Sequence, residues 1–247
     1  MSGEPTFLVD TLPRPGAAGA VLLDGPEGRH AATVQRLRVG EALVLTDGAG
    51  AWTLGTVEEV RRDALLVRPG EIRQDPPPPL RIVVVQALPK GERGELAVDL
   101  ATEAGADGIV PWAAARSVAR WDRDKATRGV EKWRATARSA AKQARRRYVP
   151  PVDPLAGTAQ VVERISAATL ALVLHESATE PLTGLDLPAA GELLLVVGPE
   201  GGVSPEELTA FTGAGARAVR LGPEVLRSST AAAVALGALA VLTGRWG

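Results

Sequence analysis

The sequence predicts two units, a small β-barrel or sandwich followed by an α/β domain with a mostly parallel sheet and helices on both faces. Three observations carry this. Residues 1–73 hold short alternating apolar segments and no long 3.6-residue period. Residues 74–79, QDPPPP, form a stiff polyproline spacer. Residues 80–247 alternate apolar strands with helical stretches, as parallel sheets covered on both faces require.

In the first unit, Ala42–Thr46, Trp52–Val60 and Ala64–Arg68 read as strands. Asp47-Gly48 with Gly50 marks a hairpin turn between the first two. In the second unit, Arg81–Leu88 is a strand and Glu92–Ala104 a helix ending at Gly105. Gly108–Trp112 is a short strand, and Asp124–Arg147 a long helix stopped by Val149-Pro150-Pro151. Ala159–Ala167 is helical, and Thr169–His175 and Leu193–Val197 are strands. Ser204–Thr212 is helical, Ala216–Leu221 a strand, and Ser228–Leu242 an Ala-rich helix capped by Ser228 or Ser229.

The stretch Leu193–Glu207, LLLVVGPEGGVSPEE, is the most specific local signal. Five apolar residues fit a strand buried on both faces. Ser204, Pro205 and Glu207 supply an N-cap, a first-turn proline and a capping-box glutamate. Between them Gly198, Gly201 and Gly202 lie at the carboxyl end of the strand, where open α/β sheets bind ligands. Taken alone, the turn fits a sharp bend without a ligand equally well. Gly213–Ala218 matches a loose dinucleotide fingerprint, but it follows a helix and precedes a strand, the reverse of the required order. There is no Gly-Lys-Ser/Thr phosphate loop either, so nicotinamide and P-loop chemistry are poor readings.

Composition narrows the classes further. The 247 residues are 45% hydrophobic and 23% charged, which suits a globular chain. Without cysteine there is no disulfide, thiol nucleophile or zinc–thiolate site, and two histidines, His30 and His175, make a transition-metal site an unlikely design. The start, MSGEPTFLVD, lacks the apolar core of a signal peptide, and the longest apolar run, Ala231–Leu242, is too short to span a bilayer. A soluble cytoplasmic protein is expected. The formal net charge is −1, yet Arg116–Arg147 holds twelve Arg or Lys against three acids. Arg134, Arg138, Lys142 and Arg145 recur every three or four residues and share a helix face, with Trp133, Ala137, Ala140, Ala141 and Ala144 around the other side. A one-sided basic helix in a neutral protein suits a nucleic-acid backbone; a solvated helix face is the plainer alternative.

A second turn resembles the first. The strand ending at Leu221 leads through Gly222-Pro223-Glu224-Val225-Leu226-Arg227 into the final helix, and a third strand ends at His175-Glu176-Ser177. Three strand ends converging on one pocket suit a sizeable cofactor. Lined by Leu172, Leu174, Leu221 and Leu226, that pocket suits an adenine and ribose better than a triphosphate, because no lysine or arginine cluster is at hand for phosphates.

These residues, taken in order, resemble a known family. The set is His30…Arg36-Leu37-Arg38…Gly40, Leu88-Pro89-Lys90, Ala101–Gly105, Pro111, Arg116-Ser117, Gln143-Ala144-Arg145, Val149-Pro150, Gly198–Gly202 and Leu221-Gly222…Leu226-Arg227…Thr230-Ala231. It is similar to ribosomal RNA small subunit methyltransferase E, a family of the SPOUT class. The resemblance implies a trefoil-knotted C-terminal α/β methyltransferase domain and an N-terminal PUA-like β-barrel that binds RNA. It implies S-adenosylmethionine as cofactor, a homodimer, and 16S rRNA or the small ribosomal subunit as partner, with no metal and no membrane. The implied activity is methylation of N3 of one uridine in 16S rRNA. Carried over residue by residue, Leu172, Leu174, Gly198, Pro199, Glu200, Gly201, Gly202, Leu221, Gly222 and Leu226 frame the cofactor. Arg116, Gln143 and Arg147 are the implied catalytic residues. His30, Arg36, Arg38, Lys90, Arg138, Lys142 and Arg145 are the implied RNA contacts, with Glu103 close to Lys90.

Plain alternatives stand beside these. Glu200 can hold its turn by accepting amide hydrogen bonds, Glu103 can pair with a helix neighbour, His30 can be an ordinary surface residue, and His175 suits a strand end better than a base. Two positions depart from the family pattern, since Lys142 and Ser229 stand where acids are common. Neither can act as a carboxylate base. Two other readings remain open: a knotted methyltransferase acting on a ribose 2′-hydroxyl, and a non-catalytic RNA-binding assembly protein.

Overall fold

The computed structural model describes residues 3–13, 19–91 and 93–246. It divides into two compact units, residues 1–77 with 141–149, and residues 78–140 with 150–247.

The first unit is built on a five-stranded sheet. Its strands are β1 (Thr6–Leu8), β2 (Val21–Leu23), β3 (Ala42–Thr46), β4 (Ala51–Arg61) and β5 (Ala64–Gln74), in the spatial order β1-β3-β4-β5-β2. β1 runs parallel to β3 and the other pairs are antiparallel. The expected hairpin joins β3 to β4, and the Asp47 carboxylate accepts from the amides of Ala49 (2.7 Å) and Ala51 (3.1 Å) to hold the turn. β5 runs six residues past the expected end at Arg68. Pro69, which lacks an amide, lies opposite Gly55 where the register shifts, so a bulge absorbs the missing donor and pairing resumes beyond it. β1, β2 and the short helix α1 (Gly25–Arg29) were too brief to leave a periodic signal. Phe7, Leu23, Leu43, Leu45, Leu65 and Val67 close the core of this unit.

In the second unit six strands lie in the order β7-β6-β10-β8-β11-β9, all parallel: β6 (Leu80–Ala87), β7 (Gly108–Trp112), β8 (Leu170–Leu174), β9 (Glu180–Pro181), β10 (Gly191–Val197) and β11 (Arg217–Arg220). The helices are α2 (Arg93–Glu103), α3 (Arg123–Gln143), α4 (Thr158–Ala167), α5 (Pro205–Gly213) and α6 (Ser228–Leu242). The expected start of α2 at Glu92 lies outside the described residues. Alternate residues of β10 point to opposite faces, as a strand's twofold period dictates. Leu193 and Leu195 join Ile82, Leu172, Trp133 and Leu236 on one face. Leu194 and Val196 join Val85, Val161, Ile165 and Phe211 on the other. Burying each such side chain contributes about 1.5–3 kcal/mol, which explains why this strand carries no polar residue from Leu193 to Val197.

α3 ends four residues before the expected stop at Arg147. Arg145 adopts φ +55°, and the Arg146 amide returns to the Ala141 carbonyl at 2.8 Å while the Arg145 amide reaches Lys142 at 3.0 Å. Helix gives way because the next residues are needed as extended chain. The Val149 amide donates to Gly48 (2.8 Å), Gly50 donates to the Arg147 carbonyl (3.0 Å), and Tyr148 Oη donates to the Asp75 carbonyl (2.6 Å). Arg145 therefore does not sit on the helix face where its spacing put it, and Arg147 lies beyond the helix.

The N-terminus of α5 bears out its capping box. Ser204 Oγ accepts from the Glu207 amide (3.2 Å), and the Glu207 carboxylate accepts from the Ser204 amide (3.1 Å). That buried carboxylate also accepts from the Ala115 amide (2.7 Å) and Thr158 Oγ1 (3.0 Å), tying the segment after β7 and the start of α4 to one group. The cap of α6 differs from expectation. Arg227 occupies the N-cap with no side-chain hydrogen bond, and Ser228 and Ser229 lie buried inside the helix.

Replacing Glu207 by Ala strands three donors and should cost about 3 kcal/mol. We expect the calorimetric Tm to fall by roughly 5–10 °C; a fall below 2 °C would mean that water replaces those bonds freely.

Candidate functional site

The carboxyl ends of β8, β10 and β11 open on a cleft of about 680 Å³, lined also by the segment entering α6. Each wall comes from one strand end. β8 supplies Leu174, His175 and Glu176, β10 runs into the Gly198–Val203 turn, and β11 runs into Leu221-Gly222. Strand order makes this possible, since β8 lies between β10 and β11 and their ends are adjacent.

The Gly198–Gly202 turn is closed by the Gly202 amide donating to the Pro199 carbonyl at 2.9 Å. Gly202 has φ +73°, and a Cβ built on it would meet no atom within 4 Å. Its backbone is thus bared to the cleft in a conformation that suits glycine. Ser228 Oγ donates to the Gly198 carbonyl at 2.7 Å and accepts from Gln86 Nε2 at 3.0 Å, bracing the turn against β6 and α6. This is why Ser228 is not a cap. Gln86 Oε1 is buried with no hydrogen-bond partner.

Glu200 lines the cleft and also holds the turn. Its Oε1 accepts from the Lys90 amide at 3.2 Å and lies 3.7 Å from the Arg93 guanidinium, so it fastens the loop after β6 to the turn. Arg116 lines the cleft and donates from Nη1 to the Gly201 carbonyl at 3.2 Å. At the same rim, hydrogen bonds from its own amide and from the Ser204 hydroxyl hold the exposed Glu206 carboxyl below the usual range, with Arg116 adding to the effect. The His175 ring is 3.1 Å from Ser177 Oγ, a local strand-end contact.

Charges around the cleft are mixed: Arg116, Arg220 and Arg227 face Glu176, Glu200 and Glu224. No polyphosphate cradle exists among these residues. Apolar surface from Leu174, Val197, Leu221 and Leu226, with the bared glycine backbone, suits a zwitterionic nucleoside whose ring lies against aliphatic side chains. Leu226 is 36% and Val225 76% exposed, so the segment entering α6 presents apolar surface to solvent.

Nine of the ten expected cofactor residues thus gather at one cleft. Leu172 lies beneath it, fully buried in the sheet core. Gln86 and Ser228 were missed, although a lone glutamine in an otherwise apolar run, Ile82–Leu88, is a signal that sequence does carry.

The other expected residues lie on both units. Lys90 is exposed on the loop fastened by Glu200, and Arg138 is exposed on α3. Glu103 is exposed at the end of α2. Gln143 and Arg147 belong to the first unit. There the Arg147 guanidinium lies 4.3 Å from the Trp52 ring; burial pushes its pKa down, Asp75 partly offsets this, and Nη1 has no hydrogen-bond partner. Lys142 Nζ sits 3.0 Å from both Glu27 oxygens and 5.5 Å from the Phe7 ring, so its charge is matched within the unit. Arg36, at φ +55°, and Arg38 are exposed, as is Arg145. His30 lies half-buried, 6.1 Å from Phe7.

Among the described residues, no group of three or more His, Asp or Glu could hold a metal ion, and no helix is long and apolar enough to cross a membrane.

Comparison with known proteins gives consistent matches. A family model described as an RNA methyltransferase domain matches residues 76–240, and one described as an RNA methyltransferase PUA domain matches residues 23–70. A Mycobacterium bovis protein named ribosomal RNA small subunit methyltransferase E is 55% identical over 246 residues, covering 97% of this chain and 92% of its own. A Bacillus subtilis protein of the same name is 29% identical over 229 residues, covering 90% of each chain. Among solved structures, a Legionella pneumophila methyltransferase in complex with its bound cofactor SAM superposes with a TM-score of 0.84 at 29% identity, covering 98% of both chains.

Proposed function

Because this chain belongs to the ribosomal RNA small subunit methyltransferase E family, we propose that it transfers the methyl group of S-adenosylmethionine to N3 of one uridine in 16S rRNA. The chain is an S-adenosylmethionine-dependent rRNA methyltransferase with an α/β methyltransferase domain and a PUA domain. The observation that carries the finer reading is the cleft where three parallel strand ends meet, walled by bared glycine backbone and aliphatic side chains and edged by Arg116.

When bound, S-adenosylmethionine supplies an already activated methyl group. The chain's own residues have two tasks, to hold the donor and to ready the acceptor. Gly198–Gly202, Leu221 and Gly222 offer backbone to the cofactor, Leu174 and Leu226 flank it, and Leu172 supports β8 beneath. Glu200 keeps the turn in shape through the Lys90 amide. Uracil N3 must lose a proton, and the Arg116 cation at the cleft edge favours the resulting anion. N3 lies on the Watson–Crick edge, so the target base must be unpaired when it reacts.

We extend RNA contact to Lys90 and Arg138 on the methyltransferase domain. On the N-terminal unit it extends to His30, Arg36, Arg38, Gln143, Arg145 and Arg147, with Lys142 anchoring the helix end through Glu27. The five-stranded sheet is read as a PUA-type barrel. A trefoil knot is supported by the path of α6, which follows β11 near the sheet edge yet packs on α2, β6 and β10. A homodimer through α6 is supported by Val234, Val241, Leu242 and Trp246, 43–68% exposed on one terminal helix and its tail. A cytoplasmic location goes with a ribosomal substrate.

Three outcomes test this. Digestion of 16S rRNA methylated in vitro should yield N3-methyluridine; a 2′-O-methylated nucleoside would replace the assignment. Gly202→Val should weaken S-adenosylmethionine binding by roughly 100-fold in calorimetry while Tm holds within a few degrees; retained affinity removes the turn from the site. Val241→Asp with Trp246→Asp should convert a dimer to a monomer in analytical ultracentrifugation, and an unchanged sedimentation coefficient would move the interface elsewhere.

A further inference from the structure

A second crevice, of about 340 Å³, opens beside the cofactor cleft between the loop after β6 and the N-terminal half of α3. Two indoles form its inner wall. Trp133 is 1% exposed, Trp121 is half-buried, and they meet edge to face with centroids 5.5 Å apart at 75°. Trp121 lies directly on the backbone of α3, where a Cβ on Gly129 would come within 2.7 Å of its ring. The rim is cationic. Lys125, Arg128 and Lys132 project around it, Lys125 within 3.3 Å of Asp122 and Lys132 within 2.9 Å of Glu95. Arg128 Nε donates to the Asp124 carbonyl at 3.4 Å, and its charge also acts on the Asp122 carboxyl.

We propose that this crevice binds an unpaired nucleobase of the RNA substrate, next to the base that is methylated. The inference rests on the RNA methyltransferase reading and extends it to a second subsite. Three physical facts favour a nucleotide over another occupant. A base is flat and aromatic, and stacks on any indole regardless of sequence. Its phosphates meet cations at the rim, within the segment of the chain richest in positive charge. The crevice is also linked to the cofactor cleft by two stretches of chain. The loop carrying Pro89 and Gly91 is fastened to the Gly198–Gly202 turn through the Lys90 amide and Glu200. The segment from Arg116 at the cleft to Trp121 at the crevice is five residues, at most about 18 Å of chain. A strand with its target base in the cleft therefore passes the indole wall within a few nucleotides. For the target to be reached at N3 it must leave its pair, and a neighbour held by stacking steadies the strand in that opened form.

The test uses the full chain with Trp121→Ala and Trp121→Phe, and two fluorescein-labelled probes, oligouridylate and an abasic strand of equal length. Wild type should bind oligouridylate more tightly than the abasic strand. Trp121→Ala should raise the oligouridylate Kd by roughly 5- to 100-fold and abolish the preference, whereas Trp121→Phe should keep most of it. In methylation assays Trp121→Ala should raise KM for rRNA with S-adenosylmethionine affinity near wild type, and Trp121→Phe should hold both KM and Tm near wild type. Equal Kd values for wild type and Trp121→Ala would overturn the proposal. So would a fall in cofactor affinity or Tm matched by Trp121→Phe, which marks a structural wall, or conversion to a monomer, which marks a subunit contact. Wild type that methylates rRNA while Trp121 proves indifferent disproves the crevice alone. Wild type that methylates nothing yet binds oligouridylate through Trp121 disproves the function and leaves the crevice standing.

Discussion

The second unit depends on one constraint, the double burial of a central parallel strand. β10 is hydrogen-bonded to β6 on one side and β8 on the other, and both of its faces are packed with helices. Nothing polar can interrupt it, so every group able to meet a ligand is displaced to its carboxyl end. The chain must there reverse away from the sheet within a few residues and still satisfy its backbone. The Gly198–Gly202 turn does this with its own Gly202–Pro199 bond and the Ser228 hydroxyl. Because β8 and β11 are parallel to β10, their ends arrive at the same edge, and the cleft follows from strand direction.

Around that edge three polar side chains act as fasteners. Glu207 joins α5, the segment after β7 and the start of α4; Ser228 joins β6, β10 and α6; Glu200 joins the turn to the loop after β6. Each is a side chain whose hydrogen bonds go mostly to backbone, so each fixes chain path and leaves the ligand surface to glycine and aliphatic groups. Arg116 belongs to both sets, since it holds the Gly201 carbonyl while presenting its charge to the cleft.

Much of this was legible in the chain. The strand boundaries Ala42–Thr46 and Gly108–Trp112 and the helix Ser228–Leu242 coincide with the observed elements. The capping box at Ser204 and Glu207 was equally plain. What failed had a common cause. Arg145 was placed on a helix face by spacing alone, but the helix closes in a turn at Ala144 and Arg145, beyond which the backbone of Arg147 and Val149 bonds to Gly50 and Gly48. Ser228 was read as a cap because a cap is what serine does locally, whereas its partners are 30 and 142 residues away. Lys142 looked like a free cation until Glu27, 115 residues distant, was found beside it.

By itself, the sequence determined the alternation of strands and helices, the two glycine turns and the basic segment, since all are local patterns of apolarity, charge and backbone permissiveness. Only the tertiary structure decided which strand ends lie side by side, which charges are matched, and that two indoles twelve residues apart line a crevice beside the cofactor cleft. The physical reason is range. Propensity, capping and periodicity act over a few residues, whereas pairing across a parallel sheet and burial of a polar group depend on partners the chain meets only after it has folded.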